Sequence, residues 1–185
     1  MKFFNSVQKN MNFKDVIKSI EFFIKSNPDS KYRIAVGTDS QVCGEYTCFA
    51  TGIHIHRIGQ GAWCCISRNF EKKQYNNLKE KISRETLITY EVVYKLNEEL
   101  VDSLCKFMEK YKNFDCKLEA HIDVGTNGES RKLIREMVSY FQGLDIDAKI
   151  KPNSFVASCY ANRYSKSLPK FLKKRSAHKK QINVV

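Results

Sequence analysis

The 185-residue sequence lacks several features that mark common classes of protein. Proline occurs three times, the seven cysteines include no Cys-x-x-Cys pair, and no stretch approaches the roughly 18 apolar residues of a membrane span. The N-terminal residues lack the hydrophobic core and cleavage site of a secretory signal. We therefore expect no disulfide framework, no zinc knuckle and no membrane span. The sequence predicts a cytoplasmic protein whose cysteines are free thiols.

Acidic residues are absent after Asp147, although the chain contains 20 of them. Ten lysines and arginines follow that point, so subtracting them from the net charge of +12 leaves +2 for the preceding residues. A basic end on a nearly neutral body is typical of proteins that bind polyanions, because each neutralised phosphate releases counterions. A solubilising tail is the alternative. The cations expected to contact nucleic acid are Lys166, Lys170, Lys173, Lys174, Arg175, Lys179 and Lys180.

The apolar residues that are present follow clear periods. A helical period predicts a helix over 12–26, capped by Asn12, and one long helix over 76–112, a segment without glycine or proline. Short glycine-containing turns join the first three predicted strands, which must therefore be antiparallel neighbours. These strands cover 32–40, 46–57 and 62–70. Beyond the long helix the predicted elements are a strand at 117–124, a helix at 129–141, a strand at 147–151 and a helix from 154 to 164.

Two aspartates follow apolar strands in the same local pattern. The first strand delivers Asp39 between the hydroxyls of Thr38 and Ser40, and the fourth delivers Asp123 shortly before Gly125. A carboxylate on a rigid strand is well positioned to hold a divalent cation, although aspartates at strand ends also form ordinary turns. Two converging strands would bring two such carboxylates together.

Glu85 is a third candidate, because it lies beside the apolar stripe of the long helix and a carboxylate there needs a partner. The structural alternative is that acidic residues are favoured in the first turns of a helix by the helix dipole. The pair His54 and His56 shares one strand face and could suit zinc, but the sequence supplies no third ligand. His121 is either a hydrogen-bond partner of Asp123 or a strand histidine satisfied elsewhere.

Three motifs within residues 13–166, GTDSQ, HIDVGTNGESRKLI and IKPNSFVASCYANRYSK, resemble the YkuK-type RNase H-like proteins, a bacterial family of predicted nucleases. The resemblance implies an α/β fold of the RNase H-like type. Its sheet would be mixed and five-stranded, in the order 3-2-1-4-5, with three antiparallel strands followed by parallel crossovers. One domain would cover residues 1–166, with a basic tail over residues 167–185.

The resemblance also implies a site and an activity. Asp39, Glu85 and Asp123 match the acidic set of the family, which holds two Mg²⁺ or Mn²⁺ ions for the hydrolysis of phosphodiester bonds in RNA, DNA or a hybrid. Asn162 stands where the family has a fourth acid, so here the fourth ligand would be a neutral oxygen. Because this change removes a charge, the alternative is a weakened or inactive module that binds nucleic acid or a protein.

Overall fold

The computed structural model describes residues 1–144 and 146–165 and, within them, every side chain except those of residues 160–163. One mixed sheet with flanking helices confirms the predicted α/β class. The elements in chain order are β1 (Phe3–Phe4), α1 (Phe13–Lys25), β2 (Lys31–Cys43), β3 (Tyr46–Arg57), β4 (Ala62–Glu71), α2 (Leu78–Lys110), β5 (Asp115–His121), a 3₁₀ helix (Glu129–Leu133), α3 (Ile134–Gln142), β6 (Asp147–Lys149), a π-helical turn (Val156–Ala161) and α4 (Asn162–Ser165).

The sheet has the strand order β1-β4-β3-β2-β5-β6. β2, β3 and β4 form an antiparallel meander, and β5 and β6 continue the sheet in parallel from β2. The predicted order of five strands is confirmed. The predicted strand number was too low by one, because β1 adds two residues at the edge beside β4, and so short a strand has no alternation to detect.

The helix α1 covers one side of the sheet and begins as predicted. Asn12 accepts a hydrogen bond from the Asp15 amide at 3.0 Å, and the Asp15 carboxylate accepts one from the Asn12 amide at 2.8 Å. This capping box satisfies two amides that the first helical turn leaves without partners. The apolar stripe of the helix then buries Val16, Ile17, Ile20 and Ile24 in the core.

The helix α2 is continuous over 33 residues, or about 50 Å, and packs on the same core. Asn77 caps it by accepting a hydrogen bond from the Glu80 amide at 3.1 Å. Below the helix, Thr89 donates a hydrogen bond to Thr38 at 3.0 Å, so this part of the interface is polar. In the described part of the chain, no helix is both long and apolar enough to cross a membrane.

β2 extends further than predicted, to Cys43 rather than to residue 40, because β3 pairs with it from Tyr32 to Cys43. β5 pairs with β2 only up to Gly37, so Asp39 lies within a strand but beyond the end of its parallel neighbour. Gly37 is needed where the π-helical turn meets the sheet. A Cβ atom there would lie 2.8 Å from the Ala157 amide nitrogen and 2.9 Å from the His121 carbonyl oxygen.

Candidate functional site

The structure brings three sequence-predicted acids, Asp39, Glu85 and Asp123, to one cleft. Asp39 extends past the end of β5, Glu85 lies about two turns into α2, and Asp123 follows β5 by two residues. The cleft has a volume of about 350 Å³. Its lining residues are Asp39, Leu78, Lys81, Ile82, Glu85, Asp123, Glu129 and Ser130.

Strand alternation explains how β2 contributes to both sides of this cleft. Ser40 points toward α2 and donates a hydrogen bond to Oε1 of Glu85 at 2.6 Å. Asp39 points to the other face, where Oδ2 accepts a hydrogen bond from the Ser165 hydroxyl at 3.1 Å. Two consecutive residues of β2 therefore connect α2 and α4 to the same point of the sheet.

Glu85 is the most deeply buried of the three acids, with 6% of its surface exposed. Burial raises the pKa of its carboxyl to about 8, although the Ser40 hydroxyl and the Lys81 ammonium both favour the ionised form. Lys81 Nζ lies 3.8 Å from Oε1 of Glu85, one helical turn earlier. Glu85 is therefore largely protonated at pH 7 in this arrangement.

Asp39 is half-buried, and burial is the largest cause that raises the pKa of its carboxyl. The Ser165 hydroxyl and the Lys81 charge lower this pKa, while the negative charge of Asp123 raises it. The mutual effect of Asp39 and Asp123 is that of two like charges across one cleft. The cleft thus concentrates negative charge that calls for a cation.

Asp123 forms an ion pair with Lys151, whose Nζ lies 2.8 Å from Oδ1. The same oxygen is buried, and no donor in the described residues makes a hydrogen bond of acceptable geometry to it. Main-chain bonds hold the two segments side by side, from the Lys151 amide to the Val124 carbonyl oxygen and from the Ile122 amide to the Lys149 carbonyl oxygen, both at 2.9 Å.

The donor set of the cleft suits a divalent cation in kind, because Mg²⁺ and Mn²⁺ prefer oxygen ligands and the buried Oδ1 of Asp123 lacks a hydrogen bond. The three carboxylates are not drawn together into a shell. In residues 1–144 and 146–165, no group of three or more His, Cys, Asp or Glu side chains is arranged to hold a metal ion as it stands. Lys81 and Lys151 supply the neighbouring positive charge.

The side chains of the other predicted site residues are not among those that the structure describes. The Asn162 backbone begins α4, but its side chain is not among those described. The cations predicted to contact nucleic acid also lie outside the described residues: Lys166, Lys170, Lys173, Lys174, Arg175, Lys179 and Lys180.

Sequence analysis missed three residues that contact the acids: Lys81, Lys151 and Ser165. Lys81 had a detectable signal, since it precedes Glu85 by four residues on a helix. Lys151 and Ser165 had none, because 28 and 126 residues separate them from their partners Asp123 and Asp39. Such contacts follow from the packing of the whole chain.

The histidines have structural partners. His121 is buried, and its Nδ1 accepts hydrogen bonds from the amides of Phe155 and Val156 at 3.2 and 3.3 Å. Its Nε2 lies 3.2 Å from Oε2 of Glu119, and burial lowers its pKa. His121 therefore anchors the start of the π-helical turn and does not bond to Asp123.

The His54 and His56 rings lie side by side, with centroids 6.1 Å apart. Burial lowers the pKa of His54 to about 4, so its ring is neutral near pH 7. The T-shaped contact of His54 with Phe155, at 5.3 Å, packs this ring against the C-terminal segment. The described part of the chain supplies no third protein ligand that would make this pair a zinc site.

Comparison with known proteins agrees with an α/β fold of the ribonuclease H-like type. The model of a family described as Ribonuclease H-like matches residues 15–166. The chain is 37% identical over 168 residues to "Uncharacterized protein YkuK" of Bacillus subtilis (strain 168). The aligned region covers 89% of this chain and 96% of that protein. No solved structure matches the chain significantly.

Proposed function

Because the chain belongs to the ribonuclease H-like family, we propose that it is a metal-dependent nuclease that hydrolyses phosphodiester bonds in nucleic acid. The observation that carries this proposal is the meeting of Asp39, Glu85 and Asp123 in one cleft. The three acids come from a central strand, the helix α2 and the end of the adjacent parallel strand. Their separation along the chain makes a chance grouping in one small cleft a poor explanation.

Asp39, Glu85 and Asp123 would hold Mg²⁺ or Mn²⁺, with Asn162 as a neutral fourth ligand. Such ions, when bound, make water more acidic and offset negative charge on a phosphate. The buried Oδ1 of Asp123 supports this role, since a buried negative oxygen needs a cation nearby and the one beside it, the half-exposed Lys151 ammonium at 2.8 Å, can move into solvent. The raised pKa values of Glu85 and Asp39 support it too, because both carboxyls lie where ionisation needs compensating charge.

The surrounding side chains prepare the acids for this task. Ser40 holds the Glu85 carboxyl and Ser165 holds that of Asp39, so both groups have restricted orientations. Glu85 must release its proton before it can bind a cation as a carboxylate, since it is largely protonated at pH 7. Lys81 lines the cleft and its charge favours the ionised forms of both Glu85 and Asp39.

Nucleic acid is the proposed substrate because the chain carries a net charge of +12 and ten of its cations follow Asp147. The seven cations named above would bind backbone phosphates without reading sequence. RNA, DNA and a hybrid of the two all present the same phosphodiester to the cleft. The basic tail thus supplies affinity, while the carboxylate cleft supplies the chemistry.

A catalytically silent module that binds nucleic acid or a protein is the second candidate. It is favoured by the open spacing of the acids, since no three of them in the described residues form a metal-binding group as they stand. It is also favoured by Asn162, which brings no negative charge to the fourth position. A family scaffold can keep its fold after losing part of its site.

A substrate panel distinguishes the two candidates. Single-stranded RNA, single-stranded DNA and an RNA–DNA hybrid are incubated with the full chain in Mg²⁺, in Mn²⁺ or in EDTA. Cleavage should require the metal, and Asp39→Asn and Asp123→Asn should each lower it by at least about a hundredfold, because each removes a charged ligand. Asp115→Asn changes an acid at the opposite end of β5 and should leave cleavage intact.

Cleavage that survives either substitution in the cleft would place the chemistry elsewhere. A wild-type chain that binds the substrates but cleaves none of them in either metal would identify the binding module. Circular dichroism of each variant checks that lost activity does not reflect lost folding.

A further inference from the structure

The ion pair of Lys151 with Asp123 lies outside the apolar core. Lys151 follows β6, and 47% of its side chain is exposed, whereas 21% of the Asp123 side chain is. Its ammonium ends 2.8 Å from the buried Oδ1 of Asp123, an acid that lines the cleft. The lysine therefore supplies charge to a cleft oxygen while its stem remains accessible to water.

The neighbouring lysine shows that this placement is specific. Lys149 lies two residues earlier on the same segment, but its Nζ pairs with Oδ2 of Asp147 at 2.5 Å, and 33% of its side chain is exposed. Asp147 does not line the cleft. Two lysines of equal charge on one segment thus contact different acids, and of the two only Lys151 contacts an acid that lines the cleft.

We propose that Lys151 is the internal counter-ion of the cleft, which a divalent cation must displace from Asp123 in order to bind. This inference rests on the proposed metal site. Without metal, Asp123 would be a partly buried carboxylate with a second acid, Asp39, across the cleft, an arrangement that is costly without a nearby cation. The ammonium meets that need, and for the same reason it competes with the metal for the same oxygen.

Lys81 does not have the same role. Its Nζ is 3.8 Å from Oε1 of Glu85, and that oxygen already accepts the Ser40 hydrogen bond. At 3.8 Å this pair lies a full ångström further apart than Lys151 and Asp123, whose atoms are 2.8 Å apart. Lys151 is thus the cation whose departure opens a ligand position.

Displacement by a metal is feasible because the lysine stem is long and half-exposed, so the ammonium can move into solvent without disturbing the sheet. The consequence is a weaker apparent affinity: the ammonium neutralises Asp123 until the metal concentration is high enough to displace it. Removing the lysine charge should make the site easier to fill.

Calorimetric titration with Mn²⁺ alone tests this inference on the full-length chain. Lys151→Met, which keeps the apolar stem, should bind Mn²⁺ with a Kd on the order of tenfold lower than the wild type, because one nearby positive charge is gone. Lys149→Met removes the same charge from the same segment and should change Kd by less than about twofold. Lys151→Arg keeps the charge and should have a Kd equal to or above the wild-type value.

Thermal unfolding in EDTA gives a second measurement that does not depend on metal affinity. Lys151→Met should lower Tm by a few degrees more than Lys149→Met does, because it leaves Oδ1 of Asp123 buried without a cation. Saturating Mn²⁺ should remove that difference. A structural role unrelated to the cleft would leave the difference in place.

The outcomes separate this inference from the proposed function. If the wild type binds Mn²⁺ and Lys151→Met binds it equally or more weakly, the counter-ion role is wrong and the metal site stands. If Lys149→Met strengthens binding as much as Lys151→Met does, the effect is one of net charge and the inference is again overturned. If neither protein binds Mn²⁺, both the inference and the metal-dependent function are wrong.

Discussion

At the scale of single residues, Glu85 is the most deeply buried of the three cleft acids. It is an acid whose ordinary pKa of 4.5 is raised to about 8, chiefly by burial. Such a group binds its proton more tightly in the folded chain than in the unfolded chain. Its contribution to stability is therefore fully present below pH 4.5 and is lost as the pH rises through about 8.

The free energy of unfolding of the metal-free chain should accordingly fall between pH 5 and pH 8. Glu85→Gln cannot ionise and can still accept the Ser40 hydrogen bond, so it should stabilise the chain at pH 8 by about 3 kcal/mol and flatten this slope. Urea unfolding in EDTA at several pH values measures both effects. Glu91→Gln, at an exposed position of α2, is the matched control, and equal slopes in all three proteins would refute a buried, protonated Glu85.

Asn162 is the second residue whose chemistry can be tested directly. An amide oxygen at the fourth position supplies no charge, so we expect activity to be stronger with Mn²⁺, which binds such sites more tightly than Mg²⁺ does. Asn162→Asp should raise the activity with Mg²⁺. Paired Mg²⁺ and Mn²⁺ dose series on both proteins measure this change, and an aspartate variant that is no better in Mg²⁺ would assign the fourth position to another group.

At the scale of elements, the offset between β2 and β5 creates the cleft. β5 pairs with β2 only up to Gly37, and β2 continues past that point. Asp39 therefore has no β5 neighbour on one side, while β3 still pairs with it on the other. The π-helical turn closes the far side by packing directly on Gly37. The position of α4 depends on this close approach, and so does the hydrogen bond from Ser165 to Asp39.

Gly37→Ala should therefore destabilise the chain, because its Cβ would meet two main-chain atoms within 3 Å, the Ala157 nitrogen and the His121 oxygen. Overpacking of this kind costs about 1–3 kcal/mol. Gly143→Ala is the matched control, since nothing lies within 4 Å of the position its Cβ would occupy. Urea unfolding compares the two variants, and equal stability would contradict the close packing of the C-terminal turn.

Periodicity predicted most of the elements because each is a local pattern. The bounds of β3 were predicted as observed, and the capped start of α1 follows from Asn12. The extension of β2 to Cys43 was not predicted, since residues 42–45 resemble a turn in the sequence, whereas Val42 and Cys43 are held in the strand by pairing with β3. The contacts of Lys151 and Ser165 with the cleft could not be predicted, because they join segments far apart in the sequence.

At the scale of the whole molecule, net positive charge is concentrated in the sequence after Asp147, whereas the cleft brings three acids together. Residues 1–147 have a net charge of +2, whereas the ten cations that follow have no acidic neighbours in the sequence. This division favours a chain that attracts a polyanion with one part and acts on it with another. A tail that only improves solubility would carry the same positive charge but would not contact the polyanion.

Deleting residues 167–185 removes six cations, Lys170, Lys173, Lys174, Arg175, Lys179 and Lys180. Nucleic-acid binding should weaken, and the slope of log K against log salt should become shallower by up to about 5, while Mn²⁺ affinity stays unchanged. Fluorescence anisotropy across a salt series measures the slope. A full-length control with the same six residues changed to Gln separates charge from length, and an unaltered slope would mean that the tail does not touch phosphate.

The central claim, that Asp39, Glu85 and Asp123 form one divalent metal centre, is tested most directly by anomalous diffraction from crystals grown with Mn²⁺ above pH 8. The account predicts an anomalous peak in the cleft, ligated by oxygens of these three carboxylates, with Lys151 moved away from Asp123. An empty cleft under saturating Mn²⁺, or a peak bound elsewhere, such as at His54 and His56, would contradict it.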